Sequence, residues 1–398
     1  MNSMRPTIAC VAFLFFTAAL PSYGQNVTTG TITGVISDEQ GGVLPGATVT
    51  AVHGPTGTMY EAVTQGDGRY SMLNVRVGGP YQVSAALAGF RTETVQGVTV
   101  TLGESTELPV KLALQNVTET VQVTAESIPL FTASKAGTSD SVATEVIETL
   151  PTINRSLQDF ARVSPHFVQY AFNADPSALS VAGRNTRYNN LQIDGAVNND
   201  LFSISGSSGT PGGQAETQPI SLDAIQELQL VVAPYDVRQG SFSGGGVNAI
   251  TRSGSNTLRG SAFYVFRDQS LVGDGIDDRP IATFSDKQFG GSMGGPIVRS
   301  KAFFFGNLEW GRKQTPSGFS VSGASGVSFG READAQRFLD IMQRRYNYNP
   351  GDLDEYIRGT ENDKIFARAD FNLGNSQLTV RHNSVSYTHL TLPTILRV

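Results

Sequence analysis

The sequence predicts a multidomain, mainly β chain: a small β-sandwich, then a mixed α/β unit, then long two-faced strands. Three observations carry this reading. Short apolar–polar alternations broken by Gly and Asp turns fill the N-terminal part. Helical spacing with Ser caps and Pro stops is confined to the middle. Period-two alternation over longer runs returns near the C-terminal end. Composition agrees, since 39% hydrophobic residues suffice for packed cores and 43 glycines suit a turn-rich β chain. A net charge of −6 argues against a general nucleic-acid binder, which needs a basic surface. Cys10 is the single cysteine, so disulfide frameworks and cysteine-based zinc sites are excluded.

Residues 1–24 read as an export signal. Arg5 supplies the positive start, Ile8 to Leu20 the apolar stretch, and Ser22-Tyr23-Gly24 the small residues ahead of a cut before Gln25. The apolar run is short for a membrane span and lacks a basic flank after it. Cleavage leaves a cysteine-free mature chain, suited to an oxidising periplasm.

Residues 28–114 are expected to form the sandwich. Thr31 to Ser37 is followed by the turn Asp38-Glu39-Gln40-Gly41-Gly42, and Gly66-Asp67-Gly68 is a second tight turn. Ala47, Val49 and Ala51 alternate on one face. So do Tyr81, Val83, Ala85 and Leu87, and, in a last strand, Leu108, Val110, Leu112 and Leu114. The segments Gly34-Val35-Ile36-Ser37-Asp38, Leu44-Pro45-Gly46-Ala47-Thr48-Val49, Thr64 to Tyr70 and Ala88-Gly89-Phe90 resemble the carboxypeptidase regulatory-like domain. That resemblance implies a transthyretin/Ig-like β-sandwich of the carbohydrate-binding-like fold. In that family the domain is an accessory module, and no residue here points to sugar binding.

Residues 115–137 read as a linker rich in Thr, Ser and Ala. Within it Glu119-Thr120-Val121-Gln122-Val123-Thr124-Ala125 is a strand-prone heptad. It suits either an edge strand of the sandwich or a peptide that pairs with a partner's sheet edge, with Val121 and Val123 alternating. The heptad resembles the TonB box of TonB-dependent outer-membrane receptors, which implies TonB binding by Glu119, Thr120, Val121, Gln122, Val123, Thr124 and Ala125.

Residues 138–255 are the α/β part. Val146, Ile147 and Leu150 suit a short helix stopped by Pro151. Ser156 can cap a second helix carrying Leu157, Phe160 and Ala161 on one face. A third is expected to start at Ser221 to Ile225 and lead into a strand over Leu228 to Val232. Five segments resemble, in order, the plug of TonB-dependent receptors, of the Oar-like kind with an N-terminal regulatory-like domain. They are Glu148-Thr149-Leu150-Pro151, Val181-Ala182-Gly183-Arg184, Leu191-Gln192-Ile193-Asp194-Gly195, Leu222 to Leu228, and Gly244 to Gly254. Asp194 is read as a backbone-capping turn residue, not a ligand-binding one.

Residues 256–384 are expected to be the first strands of a transmembrane β-barrel. Ile365, Ala367, Ala369, Phe371 and Leu373 alternate with Lys364, Arg368, Asp370 and Asn372, with Phe366 the one apolar residue on the polar face. Gly374-Asn375-Ser376 is a hairpin turn leading to Leu378 and Val380. A soluble sheet with one wet face has the same alternation, and the plug-like segment upstream tips the reading to lipid outside and water inside. Gly294-Gly295-Pro296-Ile297 and Phe303-Phe304-Phe305-Gly306 resemble the early barrel of the same receptors. Trp310 suits an interfacial aromatic girdle. Gln314 to Thr360 reads as a long outer loop with a surface helix over Ala333 to Arg345.

A plug fits a barrel of about 22 strands. The residues after Ser255 suffice for about five, so the chain is expected to be part of a longer, C-terminally truncated protein. Val385 to Thr394 resembles the translation of a sequencing adapter, so residues 385–398 are expected to be a non-native tail.

Catalytic signals are weak. Gly290-Gly291-Ser292-Met293-Gly294 and Gly326-Val327-Ser328-Phe329-Gly330 fit G-x-S-x-G without a strand-to-helix elbow. His53, His166, His382 and His389 form no zinc pattern. Asp274, Asp277 and Asp278 depart from calcium-loop spacing. No phosphate-binding loop occurs, so energy comes from elsewhere. No enzyme activity, cofactor or metal is expected. The receptor resemblance implies outer-membrane residence among lipid. It also implies import of a bulky, scarce ligand (siderophore, oligosaccharide or peptide), with a periplasmic TonB protein as partner. The alternative is a non-transporting surface adhesin or carbohydrate-binding β-protein.

Overall fold

A computed structural model describes residues 28–115, 123–124, 138–152, 155–169, 179–200, 211–212, 215, 217–233, 243–273, 283–316, 332–350, 357–374 and 376–389. The expected signal, the acidic run Asp274 to Asp278, the motif at Gly326 to Gly330 and everything beyond His389 lie outside these residues.

Two sheets make the sandwich. In one, β1 (Thr29–Asp38) pairs with β4 (Arg69–Arg76), and also with two short parallel strands, β7 (Ser105–Glu107) and β8 (Val110–Leu112). The other has the order β3 (Met59–Val63), β2 (Thr48–His53), β5 (Gly78–Ala86), β6 (Glu93–Val100), β9 (Val123–Thr124). Alternation decides which side chains go inside: Ala47, Val49, Ala51, Tyr81, Val83 and Ala85 are all buried in one apolar cluster. Tight turns set the register. Gly68 has φ +72, and a Cβ there would meet the Ile36 carbonyl at 2.9 Å. Asp38 Oδ1 accepts from the backbone N–H groups of Gln40 and Gly42 at 2.9 and 2.7 Å.

The last expected strand is interrupted. Pro109 separates β7 from β8, because it has no N–H to add to the ladder. Val110 and Leu112 stay buried and Leu108 packs against the core, whereas Leu114 ends outside, bridged only to Phe90.

The α/β part wraps a five-stranded sheet of order β10 (Thr138–Val142), β15 (Ile225–Ala233), β16 (Gly246–Thr251), β13 (Asn190–Ile193), β14 (Ala196–Val197). A second sheet pairs β11 (Phe167–Gln169) with β12 (Leu179–Val181). Helix α1 (Thr144–Thr149) buries Ile147 and ends before Pro151. Helix α2 (Leu157–Ala161) starts in a capping box: Ser156 Oγ accepts from the Asp159 N–H, and Asp159 Oδ2 from the Ser156 N–H, each at 3.2 Å. Leu157, Phe160 and Ala161 are buried as their spacing predicts. The third expected helix is only a 3-10 turn, Leu222–Ala224. Ile225 already pairs with Thr251, and strand pairing takes the backbone that a helix would need.

Five antiparallel strands follow as a meander: β17 (Arg259–Asp268), β18 (Ser285–Val298), β19 (Ala302–Pro316), β20 (Ile357–Leu373) and β21 (Ser376–His389). Strands β19 and β20 extend a few residues into the segment expected as loop, and α3 (Glu332–Tyr346) lies within that connection. Pairing of β21 with β20 runs as far as Thr360 with His389. The wall has two unlike faces. Outward lie Tyr264, Phe266, Met293, Leu308, Ile365, Leu378 and Val380, all exposed. Inward, Phe303, Phe305, Asn307, Glu309, Lys364, Phe366 and Asp370 are buried against the α/β part. Phe366, apolar on a polar face, joins Phe305 in that domain's own core. Phe289 stacks on Trp310 at 5.5 Å on the outer face, and Tyr264 pairs with Phe289 on the next strand. Asp363, opposite Trp310, continues this row and pairs at 2.9 Å with Arg312, one step further along the same face. An aromatic belt between an apolar band and charges marks a membrane–water boundary.

Candidate functional site

The segments singled out in the sequence converge in space. Glu148 Oε1 accepts from Arg252 Nη2 at 2.8 Å. Asn248 Oδ1 accepts from the Gly195 N–H at 3.0 Å. Asp194 and Gly195, with φ +46 and +77, turn the chain between β13 and β14. Asp194 caps as expected, accepting from the Thr251 N–H and hydroxyl at 2.7 Å each. It also does something not read from the sequence: it pairs with Arg381 of the wall.

That pair belongs to a buried ionic junction between domain and wall. Arg368 forks onto Asp370, with Nε to Oδ2 and Nη2 to Oδ1 both at 2.9 Å. Its Nη1 donates to the Thr251 carbonyl and hydroxyl at 2.9 Å. Thr379 Oγ1 donates to Asp370 Oδ1 at 2.7 Å. A second junction sits further along the wall, where Lys364 Nζ and Ser221 Oγ both donate to Glu309, at 2.6 Å each. Arg155 pairs with Asp223 at 3.0 Å and lies 4.3 Å over the Phe263 ring of the wall. Asn383 Nδ2 donates to the Pro219 carbonyl at 2.8 Å.

The sandwich reaches the same place. Arg76, at the end of β4, is buried, with Nη2 3.7 Å from Asp370 Oδ2 and bonded to Ser253 Oγ. Its Nη1 finds no hydrogen-bond partner among the described residues. Burial, then the Arg368 charge, lowers the Arg76 pKa. His53 lies tilted against Tyr81, ring centroids 4.8 Å apart, and bonds Thr56 through Nδ1 at 2.7 Å. Its burial, and secondarily the Arg76 charge, lowers its pKa from 6.5 to about 3, so it is neutral at ordinary pH. A cavity of about 740 Å³ opens between the three parts, lined by His53, Arg76, Glu145, Glu227, Arg252 and Arg259 among others.

Of the heptad, only Val123 and Thr124 are described; Glu119, Thr120, Val121, Gln122 and Ala125 lie outside the described residues. Val123 and Thr124 pair in parallel with Val95 and Gln96 at the edge of β6. The Gly290–Gly294 run lies inside β18, where Ser292 bonds the Ser261 hydroxyl at 2.7 Å rather than a base. Sequence reasoning missed Arg76 and the clustering of Arg368, Asp370 and Arg381. The usable signal was a set of charges on the inward face of strands whose other face is apolar.

Known families match in the same order as the domains. Residues 31–113 match the carboxypeptidase regulatory-like domain, residues 132–247 the TonB-dependent receptor plug domain, and residues 250–328 an outer membrane beta barrel domain. The TonB-dependent transporter Oar of Myxococcus xanthus is 28% identical over 159 residues, covering 38% of this chain and 14% of that protein. Among solved structures, the outer membrane transporter YddB of Escherichia coli aligns with a TM-score of 0.45 at 14% identity, over 63% of this chain and 33% of that one. The siderophore receptor PirA of Acinetobacter baumannii aligns with a TM-score of 0.41 at 14% identity, over 64% and 32%. The chain therefore spans well under half the length of the proteins it is similar to.

Proposed function

Because this chain has the domain architecture of a TonB-dependent outer-membrane receptor, we propose that the protein it belongs to actively imports a bulky, scarce ligand. Siderophores, oligosaccharides and peptides are the cargo classes, and no chemistry is done on them. The chain is an outer-membrane protein with a plug domain and barrel strands, and in this reading lipid lies against the exposed apolar face of the wall. The observation that supports transport is the character of the plug's seat. Beside the apolar contacts of Phe305 and Phe366, the wall holds it by polar bonds: Arg381 pairs with Asp194, Arg368 donates to Thr251, Glu309 accepts from Ser221 and Asn383 donates to the Pro219 carbonyl. Such contacts can be exchanged for water when a plug is displaced, whereas an apolar seam resists wetting.

In this reading a periplasmic TonB protein pairs with Glu119 to Ala125 and pulls, drawing on the inner-membrane proton gradient. Proline at Val121 or Val123 removes a backbone N–H from that pairing. The test uses the full-length receptor and a panel of iron chelates, oligosaccharides and peptides. Expected is binding that persists in Val123→Pro while uptake stops, as it stops without TonB. Normal uptake by Val123→Pro would sink the box assignment. Surface binding with no uptake in any strain favours the adhesin.

A further inference from the structure

The sandwich is seated, not merely tethered. On its surface Val77 and Leu102 are buried against Ile250 of the plug. The backbone of Leu102, which its own sheets leave unpaired, is matched by plug side chains. Its N–H donates to Glu227 Oε1 at 3.3 Å, and its carbonyl accepts from Gln229 Nε2 at 3.1 Å. Gln226 Nε2 donates to the Val77 carbonyl at 3.2 Å. A second contact joins sandwich and wall. Asn372 Nδ2 donates to Thr58 Oγ1 at 3.0 Å, and the Asn256 N–H to the Pro55 carbonyl at 2.8 Å. These lie at the end of the wall where β18–β19 and β20–β21 are joined by short turns. Short turns face the periplasm in outer-membrane barrels.

We propose that the sandwich is a periplasmic latch on the plug, with Arg76 as the group that reaches through to the plug–wall junction. Arg76 touches all three parts at once: Ser253 of the plug, Asp370 of the wall, and its own sheet. The junction is balanced without it, since Arg368 and Arg381 face Asp370 and Asp194. Arg76 adds a third cation beside Arg368, with its own side chain buried. Attraction to Asp370 and the bond to Ser253 hold it there against desolvation and like-charge repulsion. Displacing the plug then requires that the sandwich leave first or travel with it. This consequence for import rests on the transport reading; the docking itself does not.

The test needs neither TonB nor cargo, so its failure is distinct from failure of that reading. A site-specific protease sequence is inserted after Lys135 in the full-length receptor, which is purified in detergent and cut. The freed sandwich is expected to co-elute with the plug–barrel in the unsubstituted receptor, and to separate in Arg76→Ala and in Gln226→Ala/Gln229→Ala. The second variant leaves the sandwich sequence untouched, so sandwich misfolding cannot imitate the result. Hydrogen exchange in β15 and β16 is expected to rise roughly tenfold in both variants, with β19 and β20 unchanged. Separation of the unsubstituted pieces on cutting, or equal plug exchange in all three proteins, would overturn the latch.

Discussion

The sandwich core and the plug–wall junction are held together by opposite chemistry. The first is a closed apolar cluster around Ile32, Ile36, Val49, Tyr81, Val83 and Leu112. The second joins charged wall residues to the plug, Arg381 to Asp194, Arg368 to Thr251 and Glu309 to Ser221, with Phe305 and Phe366 as its apolar anchors. Apolar burial is non-directional and costly to undo one residue at a time. A buried ion pair contributes little net stability, yet removing one partner is expensive. The difference separates a module meant to stay folded from a seat meant to be vacated.

Two large effects test that contrast. Tyr81 is buried and its hydroxyl donates to the Arg76 carbonyl at 2.6 Å. Tyr81→Ala is expected to cost the sandwich about 3–5 kcal/mol in chemical unfolding. Asp370→Ala strands Arg368 and Arg76 and is expected to cost the plug–wall unit about 3–5 kcal/mol. The triple change Asp370→Leu/Arg368→Met/Arg76→Met should recover most of that loss, which a truncated apolar core cannot do. A triple variant no better than Asp370→Ala would erase the distinction drawn above.

Acid separates the two regions further. His53 protonates near 6.5 when unfolded but only at about 3 when folded. Between those values the unfolded chain binds more protons, so folding weakens as pH falls below 6.5 and is flat above it. By pH 5 the His53 contribution is about 2 kcal/mol. Comparing thermal unfolding of the unsubstituted receptor and His53→Gln across pH 7 to 4 isolates it: the unsubstituted receptor should lose stability relative to the variant as the pH falls. The smallest effect expected is in the plug. Ser156→Ala removes the α2 cap and should cost about 1 kcal/mol, with local exchange at Leu157 to Ala161 rising first.

Local rules made much of the fold legible. The sandwich interior was set by alternation along β2 and β5, the α2 start by Ser156 and Asp159 three residues apart, and the Asp194-Gly195 turn by two residues that tolerate positive φ. Each depends on neighbours a few positions away. Where a local rule met a longer constraint, it lost. Pro109 cut an alternating run, and pairing with β16 turned the third helix into a single 3-10 turn.

What only the tertiary structure decided is the junction, because strand register and domain docking create it. Register sets Arg368 directly opposite Arg381 on adjacent strands, a like-charge pair that a sheet alone disfavours. Asp370, two residues along β20, takes the first, and Asp194 of the plug takes the second. Alternation along β19 and β20 specified two unlike faces, and by itself it suits a soluble sheet as well as a membrane wall. The plug decided between them: it buries Glu309, Lys364, Phe366 and Asp370 on one side and leaves Ile365, Leu308 and Val380 outside. Periodicity tells a strand that its faces differ, but only the partner packed on one face makes that face the inside.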